Sequence, residues 1–234
     1  MRPRTRFLFL IMLLVVPVAQ AGIVSTKHNL SVSGPGTIKA ASEDQVCIFC
    51  HTPHNASPNA PLWNRRNPGT TYTPYTSTSL VGAPGQPTGS SILCLSCHDG
   101  TIALGEVLSS TTAIGMSGGV TTLPAGKTRL GSDLSDDHPI SFVYSSTLAT
   151  PRGELVMPST LTGKVKLDAT GQLQCSTCHD AHDDTNGKFL AISNRASALC
   201  QTCHVKNYWS QTLHRSSTAT WNGVGANPWP TTSW

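Results

Sequence analysis

The chain contains eight cysteines, and none stands alone. Each belongs to a C-x-x-C pair that is followed at once by histidine. The four units are Cys47-Ile48-Phe49-Cys50-His51, Cys94-Leu95-Ser96-Cys97-His98, Cys175-Ser176-Thr177-Cys178-His179 and Cys200-Gln201-Thr202-Cys203-His204. Two thiols at this spacing can be presented by one turn of chain, with an imidazole beside them. C-x-x-C-H is the attachment signature of c-type haem. The thiols of Cys47, Cys50, Cys94, Cys97, Cys175, Cys178, Cys200 and Cys203 would add to porphyrin vinyl groups as thioethers. His51, His98, His179 and His204 would be the proximal iron ligands of four haems. Rival chemistries fit less well. Four disulfides, the default in an exported chain, do not require a histidine after each pair. A zinc ribbon joins two C-x-x-C units on one metal. A thioredoxin-like pair sits in a βαβ setting and would not recur four times.

Four six-coordinate irons need four more ligands. Of nine histidines, five remain: His28, His54, His138, His182 and His214. Methionine is the rival ligand, but beyond the N-terminal segment only Met116 and Met157 are present. All-histidine ligation is therefore expected. His54 and His182 each follow a proximal histidine by three residues, in His51-Thr52-Pro53-His54 and His179-Asp180-Ala181-His182. A side chain so close cannot reach the opposite face of the same porphyrin, so each must serve a second haem. His138, His28 and His214 are the further distal candidates. Five candidates for four positions leave one histidine over.

The elements that must position these groups are sparse. Arg2, Arg4 and Arg6 precede an apolar run over residues 7–16, and Ala19-Gln20-Ala21 fits a signal-peptidase site. Residues 1–21 therefore read as a signal peptide, which places the remainder outside the cytoplasm. With those three arginines removed, thirteen basic residues face twelve acidic ones and the net charge is +1. No basic patch argues for nucleic acid. Charged residues are 12% of the chain, about half the usual share. Ser, Thr, Gly, Pro and Asn fill long stretches, so the protein alone has little with which to build an apolar core.

The expected fold is mostly irregular, a multihaem cytochrome c fold with haems as its core, a few short helices and a small hairpin. Residues 22–130 form a first two-haem module with long loops. Residues 131–234 form a second, ending in an aromatic tail. Residues 197–206 predict a short helix, 140–144 a strand, and 164–167 with 172–174 a hairpin about 168–171. Residues 55–90 and 109–132 read as loop and linker. Each half repeats C-x-x-C-H-x-x-H followed by a second motif, with first cysteines 47 residues apart in one half and 25 in the other.

This paired pattern, with Lys27-His28-Asn29-Leu30-Ser31 and the stretch from Cys47 to Asn55, resembles the doubled C-x-x-C-H multihaem cytochromes. Chain length, haem number and leader are similar to the outer-membrane cytochrome E type, whose members polymerise into extracellular nanowires. The resemblance implies bis-histidine irons, a continuous haem chain, and a distal ligand that can come from a neighbouring subunit. His28, on a free lead near the mature N-terminus, is one candidate to reach that neighbour.

The function these features imply is electron transfer by an extracellular, outer-membrane-surface or periplasmic protein, with no catalytic residues. Other cytochromes would serve as donors and acceptors, with extracellular minerals as further acceptors and a homopolymer as the assembled form. The alternative is a multihaem oxyanion reductase subunit, which needs one open iron. The purified protein should carry four haems that remain bound under acid–acetone extraction. Pyridine haemochrome assay combined with intact mass gives the count, and any other stoichiometry or extractable haem contradicts the reading.

Overall fold

A computed structural model describes residues 22–58, 60–151 and 153–206. The expected signal peptide, His214 and the aromatic tail with Trp221, Trp229 and Trp234 lie outside the described residues. Regular structure is scarce, as composition led one to expect. Four helical segments, α1 Gly89–His98, α2 Ser146–Ala149, α3 Cys175–Cys178 and α4 Ala198–Gln201, alternate with short 3₁₀ turns. Two two-residue strands, β1 Phe142–Val143 and β2 Gln172–Leu173, pair antiparallel, with Phe142 opposite Leu173. No helix of the described residues is long and apolar enough to cross a membrane.

The one longer helix, α1, carries the second motif, and its periodicity divides its faces. Cys94, Cys97 and His98 lie at i, i+3 and i+4, hence on one side. Ser91 and Leu95, which border that side, and Ser96 are buried. Leu95 joins Tyr72 and Leu134, with Ile92 and Ile140 against them, in one small apolar cluster. The helix ends where Gly100, at φ 73°, bonds back to the Cys97 carbonyl at 3.0 Å. A left-handed residue at that position favours glycine. A second apolar cluster gathers Phe142, Tyr144 and Leu173 under Leu148, Leu155, Leu161 and Leu167.

The expected hairpin forms differently. The turn at 168–171 is present, with Gly171 N donating to Asp168 O at 3.0 Å. The Asp168 carboxylate accepts from Thr170 N, Thr170 Oγ1 and Gln172 N. Residues 172–173 then ladder onto β1 rather than onto 164–167. Pairing with β1 brings Leu173 against Phe142, in an apolar cluster on which Leu167 also packs. The segment 109–132 is not a free linker either. Ala41 N donates to Gly115 O and Ser117 N to Lys39 O, both at 2.8 Å, pinning it to the first motif's lead.

The two halves meet through Gln174, which is 1% exposed. Its Oε1 accepts from Ser91 Oγ at 2.6 Å and Ser141 Oγ at 3.0 Å. Its Nε2 donates to Asp168 Oδ2 at 2.9 Å. Its backbone N donates to Thr177 Oγ1, capping α3. Ser91 Oγ in turn accepts from Cys175 N at 3.0 Å, which sets α1 against α3. Gln174→Ala would strip partners from two buried hydroxyls. It should therefore cost about 2–3 kcal/mol, read by denaturant titration of the haem-loaded protein. A loss below about 0.5 kcal/mol, the usual scale of an exposed substitution, contradicts this joint.

Candidate functional site

All four motifs fold into the same turn. His51 N, His179 N and His204 N each donate to the carbonyl of their motif's first cysteine, at 2.8, 3.0 and 2.8 Å. The second motif lies within α1, where the same bond is intrahelical. One turn therefore presents two sulfurs and an imidazole on one side.

Three of these turns are clasped by a returning segment in the same way. Residues 62–64 flank the first motif: Thr52 N donates to Leu62 O, and Asn64 N to Cys50 O. Residues 189–191 flank the third, through Asp180 N to Phe189 O and Ala191 N to Cys178 O. Residues 154–156 flank the fourth, through Val205 N to Glu154 O and Val156 N to Cys203 O. The second motif receives a single such bond, Leu130 N to His98 O at 2.7 Å.

These segments also orient imidazoles. His98 Nδ1 lies 2.7 Å from Thr128 O, and His179 Nδ1 lies 2.9 Å from Lys188 O. His28 Nδ1 lies 3.0 Å from Ala181 O, and His138 Nδ1 lies 2.9 Å from Pro139 O. A carbonyl oxygen only accepts, so Nδ1 carries the proton in each, and Nε2 keeps its lone pair for a metal. Backbone acceptors of this kind fix ring direction in metal-bound histidines.

The rings come together in pairs drawn from distant parts of the chain. His51 and His182 are stacked, with centroids 6.1 Å apart and planes 17° apart. His28 and His98 lie 6.1 Å apart, and His138 and His204 lie 6.3 Å apart. A metal–imidazole bond of about 2 Å on either side of one ion separates ring centroids by roughly 6 Å. The spacing therefore fits two imidazoles on one iron. Burial lowers the pKa of His28, His51 and His204, and the partner imidazole lowers each further. Each is thus held neutral, the form that binds metal.

His28 does not hang on a free lead. The Asn29 side chain accepts from Ser31 N and Ser31 Oγ and donates to Val24 O, and this knot fixes the residues around it. The His28 ring stacks on Phe189, centroids 4.0 Å apart, and faces His98 of its own chain. The His182 ring faces His51 of the first motif rather than a ring of its own motif. His54 is exposed, and among the described residues no imidazole is in ring contact with it or with His179. His214 lies outside the described residues.

The sulfurs fit the same group. Cys94 and Cys175 are neighbours where α1 meets α3, and their interaction raises the Cys94 pKa and lowers that of Cys175. Burial pushes the Cys50 thiol up to about 12 and the Cys178 thiol to about 11. Trp63 packs edge-on against His51 at 5.7 Å, and its buried Nε1 has no partner among the described residues. That N–H suits an acceptor on the group that His51 ligates. No cluster of three or more His, Cys, Asp or Glu among the described residues could hold a metal ion. Two imidazoles per metal suit a porphyrin, which supplies the other four donors.

Phe189, Trp63 and the returning segments are the contributors that sequence reasoning missed. The stacking rings carried no motif, and a carbonyl acceptor belongs to every residue alike.

Residues 169–207 match the family model described as the doubled CXXCH motif. No curated protein matches the chain. The match covers the third and fourth motifs and supports a multihaem c-type cytochrome-like chain with covalently bound c-type haem. His182→Ala, His28→Ala and His138→Ala should each convert one haem to high spin while its covalent attachment survives. Absorption and electron paramagnetic resonance spectra decide it, and an unchanged low-spin spectrum in any variant removes that pair.

Proposed function

We propose that this chain is an exported tetrahaem electron carrier whose haems are ligated by paired histidines, and that it assembles with copies of itself into an extracellular conduit. The observation that carries the reading is the three imidazole pairs at 6.1–6.3 Å, each joining a motif histidine to a distal candidate. Haem iron supplies a one-electron ferric–ferrous couple. The residues of this chain hold it. The motif cysteines would retain the porphyrin as thioethers, the paired imidazoles would ligate its iron, and backbone carbonyls fix the rings. An iron filled on both sides exchanges electrons and leaves no position for a substrate, which argues for transfer over catalysis. The packing of α3 on α1, where Cys175 N donates to Ser91 Oγ at 3.0 Å, supports a short path between the second and third haems. Donors and acceptors would be other cytochromes, with minerals as terminal acceptors.

His179 sets the question of assembly. The described residues leave this proximal histidine without a facing imidazole and leave His54 exposed and over. A neighbouring copy that presents His54 to the third haem would complete the set, in line with the resemblance to nanowire-forming cytochromes of the outer-membrane cytochrome E type. A head-to-tail contact that does not close propagates as a filament. The low charge and the tail tryptophans, which an interface could cover, favour the same outcome. A second reading rests on the same residue: an iron open opposite His179 would suit an oxyanion reductase.

Electron microscopy of the secreted wild type should show filaments whose haems are all low-spin and do not bind carbon monoxide when reduced. His54→Ala should disperse them and leave one high-spin haem per chain. Monodisperse wild-type protein with one carbon monoxide-binding haem would favour the reductase. A high-spin haem in His214→Ala but not in His54→Ala would assign the fourth ligand to the tail.

A further inference from the structure

Asn64 and Arg65 stand between the first two attachment turns. Asn64 N donates to Cys50 O at 2.9 Å, and Asn64 Nδ2 to Ile48 O at 2.6 Å. Arg65, the next residue, is 1% exposed. Its Nε donates to Ser96 Oγ at 3.2 Å, and its Nη2 to Ser96 O and Ala103 O, both at 3.0 Å. Its Nη1 donates to Leu104 O at 2.9 Å and Glu106 O at 3.1 Å. Ser96 immediately precedes Cys97. This dipeptide therefore binds the backbone of the first motif and, through the guanidinium, the second.

Every acceptor of Arg65 is neutral: carbonyls and one hydroxyl. The ion pairs among the described residues do not include it. The Glu106 carboxylate pairs instead with Arg66, 2.8 Å away at the exposed surface. Carbonyl dipoles satisfy the N–H groups but leave the unit charge in place. Desolvating a cation costs several kcal/mol without a counter-charge. A neutral side chain would avoid that cost in a purely structural joint. The charge has a use if something beside it gains an electron.

We propose that Arg65 is a buried fixed charge that raises the reduction potentials of the haems attached at Cys47/Cys50 and Cys94/Cys97. This inference rests on the haem reading above. On reduction each iron takes one electron from the donor, ferric to ferrous, and the site becomes less positive by one unit. A fixed cation in a low-dielectric surrounding favours that product, and salt screens it little. The fields of the two motifs agree with the geometry, since Arg65 acts on the sulfurs of both Cys50 and Cys97. At Cys97 it is opposed by Asp99. That buried carboxylate is held by Tyr72 Oη at 2.7 Å and by the Thr101 amide and hydroxyl. The net push is therefore weaker at the second haem. Arg65 is a positioning residue for electrons. It tilts the first half of the chain toward holding them.

The test compares Arg65→Gln with Arg65→Lys in the haem-loaded full chain, by spectroelectrochemical titration and thermal melting. Both variants lose bonds to the 103–106 loop, so both should melt earlier. Only Arg65→Gln should move two of the four redox components to more negative potential; Arg65→Lys should leave them within error. Equal potentials in the two variants, with both melting early, would overturn the proposal and leave a structural joint. Should Arg65→Gln fail to load haem, Ser96→Asp sets a carboxylate against the intact guanidinium. It must shift the same two components the same way, and no shift there also overturns the proposal. The haem count and reversible reduction of the wild type are read in the same experiment. A wild type without covalent haem defeats the underlying reading, whereas a loaded wild type with unshifted Arg65→Gln components defeats only the role of Arg65.

Discussion

Two imidazoles must face one another across roughly 6 Å, and the rest of the molecule is arranged around that constraint. The pairs join residue 51 to 182, 28 to 98 and 138 to 204, so each draws together segments that are far apart in the chain. The described residues, with small apolar clusters and two-residue strands, offer little else to oppose the entropy of closing such loops. Loop closure becomes costlier only slowly with length, so a few strong ligand bonds can fix a long irregular chain. The same bonds that would ligate iron would then hold the fold, as in metallo-domains whose binding energy is folding energy. The His51–His182 pair also crosses from one motif pair to the other. The halves read from the repeat are in contact through it and through Gln174.

The legible part of this protein was its chemistry, because the residues that carry it are rare. Cysteine and histidine at C-x-x-C-H spacing announce themselves, and the short reach of three residues directed attention to a partner for His182 outside its own motif, where the His51 ring stands. The scarcity of regular structure followed from composition. What stayed hidden was everything carried by backbone. The clasps at 62–64, 154–156 and 189–191 are built from N–H and C=O groups, which have no residue signature. Lys188 and Phe189 both adopt positive φ, 53° and 57°, to deliver the carbonyl that holds His179 and the ring that holds His28. Neither residue type favours that conformation, so no propensity could have pointed there. The β1–β2 pairing was missed for a related reason. A local turn suggested a local hairpin, and burial of Phe142 on Leu173 selected a distant partner.

His54 and His182 occupy equivalent places in the repeat, yet among the described residues only His182 faces another imidazole. The cause lies in the path of the chain beyond each histidine. After His182 the chain turns back at once, with Asp183 and Asp184 carboxylates accepting from Thr185 N and Phe189 N, and Lys164 bridging to Asp183 at 3.1 Å. That compact loop sets the His182 ring, still exposed to solvent, against His51. After His54, Asn55 takes φ 57° and the chain leads away toward the clasp at 62–64. The repeat thus preserved the turn that binds a porphyrin and changed the direction of the histidine beyond it.

That divergence bears on how such a chain can extend. A fully self-satisfied set of imidazoles would make a closed unit, with every ring used and nothing to offer a neighbour. Among the described residues, one ring is over at His54 and one is unmet at His179, and such an asymmetry is what a head-to-tail contact requires. The contact would add ligation energy to whatever apolar area it covers, so a small interface could suffice where protein surfaces alone need on the order of 1,000 Å² or more. It would also set a haem against the joint itself. A chain with few charges and few long apolar segments has limited means of building a conventional interface, and ligation across the boundary would compensate for that lack.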